Sequence, residues 1–154
     1  MSTFSHFADT SFLCATLRKQ DNTPQATDCM AKISEPIAIS SLVLFEFRYS
    51  LQFQPFLFAR DRTQGFPASE ALNMTELLRK DMDAEAIIVA TADWADVHYR
   101  AERLAVQFTR EMGGRAMDIL HVATALHLGS RHFLTLDALQ AKLARAAGLK
   151  SPLP

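Results

Sequence analysis

The sequence predicts an α/β fold: a central parallel sheet of four or five short strands with helices packed on both faces. Apolar runs of strand type alternate with longer runs of helix type, the pattern of βαβ units. The spacers between strand candidates supply the dozen or more residues that a parallel crossover needs, and right-handed crossovers stack helices on the sheet. No repeat, low-complexity run or Pro/Gly/Ser linker divides the 154 residues, so residues 1–154 are expected to form one domain.

The elements follow in order. Residues 4–8 read as the first strand, ending at Asp9-Thr10-Ser11. Helices are expected over residues 12–20 and 25–32. Pro36 precedes the second strand, Ile37-Ala38-Ile39, and Ser40 or Ser41 offers an N-cap for a helix over residues 42–53. Pro55 and Pro67, with Gly65 between them, mark a looser connection, and Ser69 is placed as the cap of a helix running through Leu72, Leu77 and Leu78. Ala86-Ile87-Ile88-Val89-Ala90 is an apolar run of the kind parallel sheets bury on both sides. A helix over residues 94–110 carries Val97, Ala101, Leu104, Ala105 and Phe108 at helical spacing and stops at Gly113-Gly114. Residues 117–128 form the next helix, ended by Gly129. His132-Phe133-Leu134-Thr135 is the last strand, and residues 138–147 close the chain as a helix with Gly148 at C′.

Composition narrows the function. Sixteen Lys and Arg against 17 Asp and Glu give a net charge of -1, which excludes a polycationic nucleic-acid binder; any such role must sit in a local site. Cys14 and Cys29 show no CxxC spacing, so neither a disulfide framework nor a zinc set is expected, only two small buried hydrophobes in a reducing compartment. The first ten residues lack the basic flank and apolar core of a signal peptide. The longest apolar stretch, residues 42–47, is broken by Glu46 and falls far short of the roughly 20 residues that span a bilayer. A soluble, cytoplasmic protein with no membrane association is expected.

In parallel sheets, ligands bind beyond the carboxyl ends of the strands, and four carboxylates draw attention there. Asp9 ends the first strand, Asp118 lies in the first turn of a helix, and Asp137 follows the last strand. Each also fits an ordinary N-cap or a charge that complements a helix dipole. Glu46 has no such account. It interrupts Leu42-Val43-Leu44-Phe45-Glu46-Phe47, where an unpaired buried carboxylate would cost several kcal/mol or be protonated. It needs a basic partner or a metal, and Arg48, two residues along, faces away on a helix. Four carboxylates gathered at one edge repel one another unless a hard cation joins them, and an oxygen-only donor set suits Mg²⁺ or Mn²⁺ rather than zinc. Such an ion activates water for attack on a phosphodiester.

These residues also carry a resemblance. Asp9-Thr10-Ser11-Phe12-Leu13 resembles the opening motif of PIN-domain ribonucleases, and Ser40-Ser41-Leu42-Val43-Leu44-Phe45-Glu46 resembles their second. Asp118-Ile119-Leu120-His121-Val122-Ala123-Thr124-Ala125-Leu126 is similar to the third, and Phe133-Leu134-Thr135-Leu136-Asp137 to the fourth. The motifs run in order over residues 8–148. The resemblance implies a Rossmann-like PIN domain and a metal-dependent endoribonuclease. It further implies the toxin half of a VapBC-type toxin–antitoxin pair, commonly homodimeric and held inactive by its antitoxin. By position, Asp9, Glu46, Asp118 and Asp137 would be the catalytic and metal-binding acids, supported by Ser11 and Thr135, with RNA as substrate. A PIN-like RNA-binding or scaffold module without turnover is the alternative. A phosphohydrolase with Asp9 as nucleophile is disfavoured, because position 11, where a second acid belongs, is Ser11.

Beyond the acids, Arg115 lies three residues before Asp118, beside Gly113-Gly114, where it would hold an RNA phosphate or remain a solvated loop charge. His121 and His127 are six apart, on different helix faces, so these and His98 and His132 are expected to be exposed or hydrogen-bonded rather than a second metal site. Trp94 is expected to pack rather than stack on a base. Phe45, Phe47, Phe53, Phe56, Phe58 and Phe66 exceed what one helix can bury, and the surplus reads as an interface with a second copy or an antitoxin helix. Arg131, Lys142, Arg145 and Lys150 give the C-terminal region a basic excess that would guide RNA or serve solubility.

Overall fold

Four short apolar strands pair in parallel in the order β3-β2-β1-β4. The computed structural model describes residues 3–153. The ends of the expected 1–154 domain, and the first two residues of the segment read for a signal peptide, therefore lie outside the described residues. The elements are β1 (His6–Ala8), α1 (Thr10–Leu17), α2 (Thr23–Ala31), β2 (Ile37–Ser40), α3 (Ser41–Arg60), α4 (Ala68–Asp83), β3 (Ile87–Ala90), α5 (Trp94–Met112), α6 (Ala116–His127), β4 (His132–Leu134) and α7 (Ala138–Ala146). His6 pairs with both Ile37 and His132, and Ala38 with Ile88, so the carboxyl ends of all four strands share one edge.

The chain steps β1→β2→β3 in one direction, then returns past both inner strands to β4. Right-handed crossovers place the connecting helices of opposite steps on opposite faces. Accordingly α1–α4 pack as one group and α5–α7 as another. Phe7, Phe12, Ile37, Ile39, Val43, Phe47, Met74, Ile87, Phe133 and Leu134 are buried in one core cluster between the layers. Each such side chain contributes about 1.5–3 kcal/mol by leaving water. Among the described residues no helix is long and apolar enough to cross a membrane.

Several expected boundaries move. The first strand begins at His6, and α1 starts two residues early because Asp9 caps it directly. α3 does not stop near Phe53 but continues through Pro55 to Arg60. Proline's fixed φ is itself helical, so its cost is one missing N–H and crowding against the preceding turn. That stretch is held by Tyr49 and Phe53 stacked at 5.7 Å, Phe53 and Phe56 at 5.9 Å, and the Arg60 guanidinium 3.5 Å from the Phe56 ring centre. Ser69 does not cap α4; Pro67 takes the N-cap position with no side-chain bond, since its extended backbone leads straight into the helix. The connection between them folds back tightly at Gly65 (φ 63°), where a Cβ would lie 2.2 Å from the Gln54 carbonyl oxygen.

The C-terminal segment is stitched to β4. Lys150 donates its N–H to the Arg131 carbonyl at 2.9 Å and accepts from Phe133 N–H at 2.8 Å. Ser151 Oγ donates to the Phe133 carbonyl at 2.9 Å, and Arg145 donates to the carbonyls of Ser151 and Leu153 at 2.7 and 2.6 Å. This is the trace of a fifth strand, a single parallel bridge between His132 and Lys150. Arg145 is thereby spent on the chain end rather than on a guiding surface.

Candidate active site

The sheet's carboxyl edge turns into helices at capped starts. Asp9 accepts from Phe12 N–H at 3.0 Å to cap α1, Ser40 from Val43 N–H at 3.0 Å to cap α3, and Asp137 from Gln140 N–H at 2.9 Å to cap α7. Asp9 and Asp137 are therefore caps, and capping is what brings them to this edge.

Asp9 is buried, 2% exposed, and clamped on both oxygens. Ser11 Oγ donates to Oδ1 at 2.7 Å while accepting from Leu136 N–H at 2.9 Å. Thr135 Oγ1 donates to Oδ2 at 2.6 Å while accepting from Asp137 N–H at 3.1 Å. Each hydroxyl relays one backbone N–H of the β4–α7 turn to one carboxylate oxygen. Burial nevertheless dominates and pushes the Asp9 carboxyl up to about 6, against the opposing bonds from Thr135, Phe12 and Ser11.

Glu46 lies on the inner side of α3 and is half-buried, with a third of its side chain exposed, so the expectation of a fully buried carboxylate is corrected. The reason is that α3 is not buried all round: Phe45 and Tyr49, on either side of Glu46 in sequence, face solvent. Its basic partner is His121, whose Nε2 stands 3.2 Å from Oε1, and Thr10 Oγ1 donates to the same oxygen. His121 is 1% exposed, and its Nδ1 has no hydrogen-bond partner. Donation through Nε2–H leaves Nδ1 as an acceptor lone pair, the less costly atom to bury alone. The His121 bond, followed by the Thr10 bond, holds Glu46 below the usual carboxylate range.

Asp118 is buried at the start of α6 and is gripped from outside by Arg115, Nε on Oδ2 at 3.0 Å and Nη2 on Oδ1 at 3.2 Å. The Arg115 side chain is 78% exposed. Its proton is held above the usual guanidinium value first by the bond to Asp118, then by the charges of Asp118, Asp137 and Glu46. One mobile-length cation thus answers three of the four acids.

The sequence does not by itself identify Thr10 and His121 as partners of Glu46. Two signals pointed to them: Thr10 lies between Asp9 and Ser11, and His121 is three residues from Asp118, on the same face of a helix. His127 Nδ1 pairs with Asp96 at 2.6 Å and His98 Nδ1 with the Trp94 carbonyl at 2.6 Å. His132 departs from the expectation of exposure or a hydrogen bond: it is half-buried, stacked on His6 at 4.4 Å, and its Nδ1 has no hydrogen-bond partner. Cys14 and Cys29 are free and half-buried rather than fully buried. Trp94 packs partly against the core.

Among the described residues, no three His, Cys, Asp or Glu side chains stand together as a ready-made metal cage. The donor chemistry still fits a hard divalent cation, which needs only one or two carboxylates and completes its shell with water. In this arrangement the Asp118 oxygens are engaged by Arg115, and those of Asp9 by Ser11 and Thr135.

Comparison with known proteins bears on the fold and the family. The family model described as PIN domain matches residues 7–146. Among solved structures, VapC20 of Mycobacterium tuberculosis, a sarcin-ricin loop cleaving toxin, superposes with a TM-score of 0.66 at 20% identity, covering 97% of this chain and 100% of that one. VapBC2 of Rickettsia felis, bound to a DNA fragment from its promoter, gives 0.65 at 16% identity over 96% and 97%. FitAcB of Neisseria gonorrhoeae gives 0.59 at 16% identity over 94% of both chains. Sequence comparison with curated proteins finds no match.

Proposed function

The chain belongs to the PIN domain family, and on that premise we propose that it is a metal-dependent endoribonuclease of the cytoplasm, the toxin of a toxin–antitoxin pair. The observation that carries the reading is Asp9. A serine or asparagine would cap α1 equally well without burying a charge. The fold instead keeps a carboxylate at a site that raises it to about 6 and aims two hydroxyl relays at it. A feature that opposes stability and is so carefully oriented belongs to function.

Asp9, Glu46, Asp118 and Asp137 would hold Mg²⁺ or Mn²⁺. The ion supplies an acidified water and a Lewis acid for the leaving oxygen of the phosphodiester. Ser11 and Thr135 fix the direction of the Asp9 lone pairs, and His121 and Thr10 keep Glu46 ionised. Arg115, released from Asp118, becomes free to pair with an RNA phosphate beside the site. The fold likeness to VapBC2 and FitAcB supports an antitoxin partner. The stacked row of Tyr49, Phe53 and Phe56, exposed along the outer half of α3, supplies an apolar face for that partner or for a second copy in a homodimer.

The test is cleavage of a panel of structured RNAs with and without Mg²⁺ or Mn²⁺. The parent cleaves only with metal, and Asp118→Asn loses about a thousandfold or more, the several kcal/mol that a metal site supplies. A parent that binds RNA but cleaves none of the panel with either ion would establish the scaffold reading instead.

A further inference from the structure

Ser41, Leu42, Phe45, Trp94, His98 and Leu120 line a hollow of about 330 Å³. Ser41, Leu42 and Phe45 open α3 straight after β2, Trp94 and His98 open α5 just beyond β3, and Leu120 comes from α6. Since β2 lies between β3 and β1, the strand ends that lead into α3 and α5 stand one and two strand spacings, about 5–10 Å, from the strand end that carries Asp9. Its lining neighbours the acids along the same helices: Leu42 precedes Glu46 by one helical turn, and Leu120 adjoins His121, which holds Glu46.

The lining has a definite chemistry. Phe45 is 63% exposed and takes no part in the stacked row farther along α3. Trp94 is anchored on the core, with the His98 ring 6.4 Å away. His98 bonds the Trp94 carbonyl through Nδ1, which must carry the proton, so Nε2 of the neutral ring is an acceptor. No Lys, Arg, Asp or Glu lines the hollow. Arg48, exposed and three residues beyond Phe45, stands on the same side of α3.

We propose that this hollow is a nucleobase subsite, which takes the base of a nucleotide beside the scissile phosphate of single-stranded RNA. The proposal rests on the ribonuclease reading above. An α-helix with its side chains is about 10–12 Å across and does not fit such a pocket, whereas a planar ring does. Phe45 and Trp94 offer stacking surface to any base. His98 Nε2 accepts from an exocyclic amino group, which adenine and cytosine carry and uracil lacks. Arg48 meets the adjoining phosphate.

Trp94 is the only tryptophan, so its emission reports on this hollow alone. The full chain in EDTA is titrated with short end-labelled oligo(A) and oligo(U). Label anisotropy should rise together with quenching of Trp94, more tightly for oligo(A). Phe45→Ala, at an exposed position, should keep its circular dichroism yet bind about tenfold more weakly, and Phe45→Tyr should recover the loss. With Mn²⁺, Phe45→Ala should raise KM more than it lowers kcat. Binding with unchanged Trp94 emission and unchanged affinity of Phe45→Ala overturns the subsite and leaves the ribonuclease reading intact. Trp94 emission that follows protein concentration, with Phe45→Ala eluting as a smaller species, overturns it in favour of a second copy filling the hollow. Absence of both RNA binding and cleavage overturns the subsite together with the reading beneath it.

Discussion

Asp9 and the Glu46–Asp118 pair solve the same problem, holding a carboxylate at the edge of an apolar sheet, by opposite means. Asp9 receives only neutral donors, two hydroxyls and one backbone N–H, and burial carries its carboxyl up to about 6. Glu46 and Asp118 each receive a basic side chain, and Glu46 stays below the ordinary range. Neutral donors orient a buried charge without neutralising it; cationic donors neutralise it and occupy its lone pairs. Asp9 is therefore short of positive charge, whereas Asp118 already has it in Arg115.

The largest expected effect breaks the first half. The Asp9 carboxyl titrates near 6 in the folded chain against 3.8 unfolded, so its ionisation opposes folding. Stability falls as pH rises from about 4 to about 6 and stays lowered above that, by about 3 kcal/mol. Asp9→Asn removes the penalty. In EDTA it should withstand more denaturant than the parent at pH 8 and match it at pH 4. If it is weaker at pH 8, the hydroxyl relays support the charge more than burial opposes it.

Next is the cationic half. Arg115→Ala frees both Asp118 oxygens, so calorimetric titration should show Mn²⁺ binding tighter by a few-fold. That is about 1 kcal/mol or less, because the guanidinium is largely in water. Unchanged or weaker binding would mean that Arg115 does not compete for Asp118. The smallest effect is at Glu46. Its lowered carboxyl contributes stability that is present at neutral pH and lost as pH falls through the carboxylate range. Glu46→Gln should therefore be slightly less stable than the parent at pH 7 without metal, by under about 1 kcal/mol. The sequence alone suggests the reverse, relief of a buried charge. A higher melting temperature for Glu46→Gln would restore that view.

What was legible in the sequence was local. Ile37–Ser40 and Ile87–Ala90 announce themselves as short apolar runs, and Asp9, Ser40 and Asp137 as caps, because period and capping are written within a few residues. The four acids and the Ser11–Thr135 support came from ordered motifs. The answer to Glu46 was not legible, because His121 lies 75 residues away and only the sheet order brings α3 against α6. The passage of α3 through Pro55 was hidden for a related reason: the local rule says stop, and aromatic stacking along the helix overrules it. Arg115 stands three residues before Asp118, a spacing that allows their pairing, but whether its guanidinium turns to Asp118 or to solvent is set by a backbone that spacing alone does not give.

The stitch between Lys150 and β4 bears on how the molecule behaves in a crowded solution. β4 is three residues long and forms one margin of the sheet, the place where a second chain would otherwise add its own strand. Lys150 and Ser151 occupy the backbone groups of Phe133 on that margin, and Arg145 ties the segment down. The same few bonds that end the fold thus act as a guard against strand-to-strand aggregation, at the sheet margin next to Thr135 and the acids.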